Sequence, residues 1–291
     1  MRLFLVFMIV GNFSCAPALN ERKETSGLSG LAAKAFSSDF YETRLVKRSV
    51  LSKSAGDMNI NLYSYATERP KRILILSGTH GNEDAAISFV LHLLKSVSEE
   101  VGSLYYLLEK HRIGVDFVPV LNVDGRLQNT RRNLNGVDLN RNFPINWNNK
   151  KGHGNGPLSE PESHAIYNFV KNSKFDLVID VHSSIDWIVV PSARETIFSK
   201  INEKSINLER SRSVLLKNIL DSLSHLNLKK ELKTSSELQH GGSFEDSVFY
   251  GAITPAFCLE LSKTYKADEE EAKKTYERFI TMIIKKEVVY E

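Results

Sequence analysis

The chain has 291 residues, 42% of them hydrophobic and 25% charged, which is ordinary globular usage and excludes a disordered, collagen-like or low-complexity chain. A formal charge of +3, from 38 Lys+Arg against 35 Asp+Glu, gives no electrostatic case for a nucleic-acid partner. Cys 2 is too few for a disulfide framework or a thiolate zinc site, whereas His 8 leaves room for an imidazole-based metal site.

The first element is a targeting segment. Met1-Arg2 supplies a positive charge, and Leu3 to Val10 is an unbroken apolar run. It is shorter than the roughly 20 residues that span a bilayer, and it matches the apolar region of a secretory signal peptide over residues 1–18. Two processing routes stay open: cleavage at Ala16-Pro17-Ala18, or lipidation of Cys15 as in a bacterial lipoprotein. Both predict an exported protein, periplasmic or membrane-anchored through a lipid at Cys15. Residues 19–45 are polar and read as a linker or loosely attached arm, leaving 46–291 as one domain.

From about Ile60 strands and helices alternate. Ile60 to Ala66 alternates as a half-buried strand does, and Arg72 to Ser77 is a fully apolar central strand. Glu83 to Val97 carries a helical stripe, and Ile113 to Leu121 reads as a strand. Residues 122–158, rich in Asn, Gly and Arg, form a long irregular region, and loops of that length inside a compact domain are usually functional. Ser159-Glu160-Pro161-Glu162 predicts a helix start with Ser159 as N-cap. Strands at Phe175 to Val181 and Trp187 to Val190, a helix at Ile206 to Leu223, a strand at Ile253 to Leu261 and an amphipathic helix at Asp268 to Lys285 complete the pattern. The alternation predicts a single α/β domain with a mixed, largely parallel central sheet and helices on both faces, with its site at the carboxyl ends of the strands.

Chemistry-bearing residues collect at those ends. His80 and Glu83 sit three apart at a strand-to-helix turn, and His182 ends a second strand. Imidazole nitrogens and a carboxylate are good Zn²⁺ ligands, and three of them leave a position open for water. Arg131, Asn140 and Arg141 lie in the long loop, where arginine suits bidentate binding of a carboxylate or oxyanion. Glu260 places one carboxylate in an apolar strand, which calls for a role or a partner.

With these motifs together, the chain resembles the zinc metallocarboxypeptidases of the carboxypeptidase A type, and among them the small bacterial murein peptide amidases. The resemblance runs from about Ile73 to Leu261, through His80-x-x-Glu83, Asn122-x-Asp124-Gly125, Asp138-Leu139-Asn140-Arg141-Asn142-Phe143-Pro144, Ser159-Glu160-Pro161-Glu162, His182 and Glu260. It implies one Zn²⁺ held by His80, Glu83 and His182, with Asp138 hydrogen-bonding the far nitrogen of His80. It further implies Arg131 on the oxyanion, Asn140 and Arg141 on the substrate carboxylate, and Glu260 as general base and then proton donor. Gly241-Gly242-Ser243-Phe244 resembles the loop beside the specificity pocket, so Phe244 is expected near the substrate side chain. The family's tyrosine before that loop is missing, and His240 is the candidate in its place. His153 reads as a loop histidine.

The resemblance implies a peptide substrate, with the γ-D-glutamyl–diaminopimelate bond of cell-wall peptides as the expected one. A general carboxypeptidase on L-peptides and an N-acyl amino acid deacylase of the aspartoacylase or succinylglutamate desuccinylase type are the alternatives. A non-catalytic binding protein on the same scaffold would have lost a ligand or the base, and here His80, Glu83, His182, Arg131 and Glu260 are all present.

Overall fold

The computed structural model describes residues 42–183, 187–193, 203–262 and 270–289. The signal segment and nearly all of the 19–45 arm lie outside these residues. Eight strands form one sheet: β1 Val46–Lys53, β2 Asn59–Tyr65, β3 Lys71–Ser77, β4 Ile113–Val118, β5 Leu177–Ser183, β6 Trp187–Val190, β7 Glu231–Thr234 and β8 Ala256–Leu261, in the order β1-β2-β4-β3-β5-β8-β6-β7. The pairs β3–β4, β3–β5, β5–β8 and β6–β7 are parallel, and β1–β2, β2–β4 and β6–β8 are antiparallel. This is the mixed, largely parallel sheet expected.

The longer helices are α1 Asp84–Ser98, α2 Gly102–His111, α3 Val123–Gln128, α4 Pro161–Asn172, α5 Glu203–His225 and α6 Glu270–Ile284. The path β3–α1–α2–β4 steps one way along the sheet, and β4–α4–β5 steps back past β3. Right-handed crossovers in opposite directions put their helices on opposite faces. The central strands are therefore covered twice, and Ile73, Leu74, Ile75 and Leu76 of β3 are all fully buried. The reversal between β3 and β5 leaves a crevice beyond their carboxyl ends, the place where such sheets bind ligands.

Boundaries differ from the sequence reading where tertiary contacts decide them. The 122–158 region is not wholly irregular: it holds α3 and a single 3₁₀ turn, Leu139–Arg141. Helix α4 starts at Pro161 with Glu160, not Ser159, at the N-cap. The Glu160 carboxylate accepts from Asn133 and Asn135 at 2.8 Å each, and Glu162 accepts from the Ala55 amide at 2.9 Å. These acids anchor the loop and the β1–β2 turn, beyond any role as helix-dipole decoration. The edge strands β1 and β7 and helix α2 also escape the sequence reading. Helix α2 buries Leu104, Leu107 and Leu108, an i, i+3, i+4 stripe readable in principle.

The turn that carries His80 is packed backbone against backbone. A Cβ on Gly81 would lie 2.1 Å from the Gly125 carbonyl carbon and 2.2 Å from the Arg126 nitrogen, at the start of α3. Gly81→Ala is therefore expected to destabilise by about 1–3 kcal/mol and to lower metal uptake by displacing His80. Thermal unfolding and metal analysis check this; an unchanged midpoint with full metal would refute it.

Candidate active site

His80 follows β3, His182 lies in β5 and Glu260 in β8, so three adjacent parallel strands deliver the site. Register pairs His182 with Glu260 and Asp180 with Cys258, and the two-residue period of a strand turns all four toward one face. Glu83 ends the turn just before α1 and reaches back to both histidines. Its carboxylate lies 2.7 Å from His80 Nδ1 and 3.0 Å from His182 Nδ1, and the two Nδ1 atoms are 3.0 Å apart. All three residues are buried.

The far nitrogens are each held by a carboxylate. Asp138 Oδ1 is 3.2 Å from His80 Nε2, and Asp180 Oδ2 is 2.9 Å from His182 Nε2. Thr79 Oγ1 donates to Asp180 in turn. Such partners place the imidazole proton on Nε2 and aim the Nδ1 lone pairs inward. Two lone pairs and a carboxylate then converge on one point, an arrangement that requires positive charge. Against the opposing effect of burial, Asp180 and Glu83 push His182 well above the ordinary imidazole range. Burial also opposes ionisation of Glu83, yet His182 and His80 hold it well below the usual carboxylate range. A divalent cation satisfies the same demand better, and the nitrogen and oxygen donors fit zinc.

Around this centre the loop residues take distinct places. Arg131 Nε donates to Asp138 Oδ2 at 2.9 Å, which points its guanidinium at the site, with Nη1 3.8 Å from Glu83. Asp138 is held below the normal range because His80 and Arg131 outweigh its burial. Asn140 Oδ1 accepts from the Phe244 amide at 2.8 Å. Arg141 donates from Nη1 to the Asn140 carbonyl at 2.5 Å, and no carboxylate among the described residues lies within 4.0 Å of its guanidinium. Burial and Arg131 lower its pKa against the pull of Asp138. A half-buried guanidinium with no directly paired carboxylate among the described residues can receive one.

Glu260 is only 7% exposed, and its Oε2 has no hydrogen-bond partner among the described residues. Burial pushes its carboxyl up to about 7; the pull of His182, His80 and Arg131 only partly offsets burial and the repulsion of Glu83. Such a group is poised to exchange a proton near neutrality. His240 feels Arg141, Arg131 and His80, and burial with these charges pushes it down to about 4, so it is a neutral imidazole at the cleft. The Phe244 ring, by contrast, is 1% exposed and packs edge-on against Phe143 with centroids 5.0 Å apart. Phe244 thus meets the site through its backbone amide, because its ring fills the core behind the loop. His153 stays in its loop, with Nδ1 3.2 Å from the Asn148 carbonyl. The sequence reading gave no role to Asp180, which was legible as the i−2 neighbour of His182 on one strand face.

Residues 41–281 match the zinc carboxypeptidase family. This chain belongs to that family. It is 30% identical over 141 residues to murein peptide amidase A of Escherichia coli K12, covering 42% of this chain and 53% of that protein. It is 29% identical over 184 residues to carboxypeptidase O of Bos taurus, covering 53% and 48%. The chain thus spans about half the length of the curated relatives it matches. Bovine thrombin-activatable fibrinolysis inhibitor superposes with a TM-score of 0.67 at 20% identity, over 87% of this chain and 95% of that one. The murein-tripeptide amidase of Escherichia coli O157 gives 0.54 at 21% identity, over 81% and 91%. These structures share the fold.

Membership in a zinc carboxypeptidase family agrees with the donor set: His80, Glu83 and His182 would hold the ion, their ligand atoms lying within 4.8 Å of one another. Cys258 and Glu260 also lie with ligand atoms within 4.8 Å of His182, and burial pushes the Cys258 thiol well up. Glu260→Gln should keep zinc binding while lowering kcat by about 10²–10⁴-fold, the usual size of a lost general base. Metal analysis and steady-state kinetics check this together; loss of zinc in the variant would reassign Glu260 to the metal.

Proposed function

We propose that this protein is an exported zinc-dependent peptidase that hydrolyses an amide bond next to a free carboxylate, with the γ-D-glutamyl–diaminopimelate bond of murein peptides as substrate. The observation that carries the reading is the half-buried Arg141 guanidinium, with no carboxylate within 4.0 Å among the described residues, beside Asn140 and near the His80–Glu83–His182 centre and Glu260. A carboxylate anchor next to a hydrolytic centre is the layout of an enzyme that recognises a chain end.

When bound, zinc would supply Lewis acidity to the attacking water and the scissile carbonyl. Each remaining task falls to a side chain. Glu260, ionised, takes the proton from the attacking water and then gives it to the leaving amine. Arg131, aimed by Asp138, donates to the oxyanion as charge develops there. Asn140 and Arg141 hold the substrate carboxylate and so fix the scissile bond relative to Glu260. His240, neutral, is free to donate or accept at the cleft without adding charge.

The murein reading draws on likeness to the murein peptide amidases and on the apolar Leu3–Val10 segment, which supports export with either cleavage near Ala18 or a lipid on Cys15. Arg141→Met should raise KM about 10- to 100-fold, matching the ~1.5–3 kcal/mol of a hydrogen bond to a charged group. Digestion of L-Ala–γ-D-Glu–diaminopimelate and of L-peptides, each with and without a zinc chelator, tests the substrate. Chelator-sensitive release of diaminopimelate is the expected result. Release from L-peptides alone would make the enzyme a general carboxypeptidase, and silence on both with zinc bound would return the deacylase and the binding protein.

A further inference from the structure

The Asn122-x-Asp124-Gly125 motif supplies none of the three ligands at the His80–Glu83–His182 centre, yet the helix it opens, α3, is bonded to the turn that carries two of them. Just before α3 the Leu121 amide donates to the Ser77 carbonyl at 3.1 Å, and the Asn122 amide to the Gly78 carbonyl at 2.8 Å. Gly81 packs against the Gly125–Arg126 peptide with no room for a Cβ. The Arg126 side chain then reaches Asp84, the first residue of α1, and pairs with its carboxylate. Contacts at 78, 81 and 84 thus interleave with the ligand positions 80 and 83.

Two features single out Arg126. Its guanidinium is fully buried, and Nε and Nη2 have no hydrogen-bond partner among the described residues. Burying a charge with part of its hydrogen-bonding capacity unmet is unfavourable, and an apolar side chain of similar volume would fill the same space without that penalty. The charge itself is therefore what this position supplies. The second feature is that α1 begins without a side-chain cap. Its N-cap residue is Glu83, whose carboxylate is turned to His80, His182 and the Ser183 amide instead of to the free amides of the first turn. An uncapped first turn is the part of a helix that frays. Asp84 lies in that turn, one residue past the ligand, so the ion pair with Arg126 holds Glu83 from its C-terminal side.

Helix α3 also reaches the other side of the centre. Asn122 Oδ1 accepts from the Gly125 amide at 2.8 Å, and its Nδ2 donates to the Arg131 carbonyl at 3.3 Å. The Thr130 amide donates to the Gly125 carbonyl at 2.8 Å. One short helix therefore joins the backbone of Arg131 to the turn of His80 and Glu83. We propose that Arg126, acting through Asp84, is the positioning residue of the metal turn: it holds Glu83 opposite the two histidines, while Asn122 keeps that turn aligned with Arg131. The inference rests on the zinc-site reading above and adds the group that sets its geometry.

The test titrates the full chain with zinc against a competing chelator, for the wild type, Arg126→Met, Arg126→Lys, Asp84→Asn and the double variant Arg126→Met/Asp84→Asn. Arg126→Met should weaken zinc about 10- to 100-fold, the usual loss when a group that orients a ligand is removed. The thermal midpoint of the metal-free protein should stay level or rise, because that substitution removes a buried charge. Arg126→Lys, which keeps a charge within reach of Asp84, should recover much of the affinity. Asp84→Asn should also lose affinity, and the double variant should be no worse than either single one, as expected of residues that act as a pair. With zinc saturating, Arg126→Met should lower kcat and leave KM little changed, since Asn140 and Arg141 are untouched. Unchanged zinc affinity in Arg126→Met would overturn the proposal. So would a loss that Arg126→Lys does not recover and that a lower metal-free midpoint fully accounts for. Should Arg126→Met not fold, Asp84→Asn, at a partly exposed carboxylate, decides in its place: weaker zinc supports the pairing and unchanged affinity ends it. A wild type that binds no zinc would fail the zinc-site reading itself and overturn this inference with it.

Discussion

The cleft is organised by one convergence: two imidazole Nδ1 atoms and a carboxylate held about 3 Å apart, out of water. Asp138 and Asp180 grip the far side of each ring, and β3 and β5 cannot move apart without breaking the sheet. Metal affinity and fold stability are linked there, since an ion that binds the folded state alone stabilises it by mass action.

Charges of both signs meet around this centre. Arg141 feels both Asp138 and Arg131, and Glu260 feels Glu83 and Arg131. His240 is kept neutral by its burial and by the arginines. Electrostatic complementarity of this kind fixes a ligand's orientation as much as its affinity.

Much of this was legible in the sequence because the relevant rules are local. A His and a Glu three apart at a strand end, and a second His at the end of an apolar strand, are visible as spacing. The fully apolar run of β3 revealed a twice-covered strand. The illegible parts depend on partners distant in the chain. Ser159-Glu160-Pro161-Glu162 looks like a helix start, yet its acids are spent on Asn133, Asn135 and Ala55. The asparagines of the loop look like ligand contacts, yet Asn142 bonds His153, Gly156, Ser159 and Ser163 to hold the loop together. Phe244 looks like a specificity residue, but its neighbour Phe143 draws the ring into the core.

The pairing of His182 with Glu260 across β5 and β8 has a consequence for how the protein comes to be active. In a strand, a slip of one residue turns every side chain to the opposite face. Were β8 to dock on β5 one position out of step, Glu260 would point away from the crevice and Leu259 or Leu261 would take its place beside the imidazole. The backbone ladder would survive such an error almost intact, and a helix-and-sheet signature would not reveal it. Turnover per molecule would: it reads the alignment of two strands to a single residue, so specific activity measures folding fidelity in a way that bulk structure cannot.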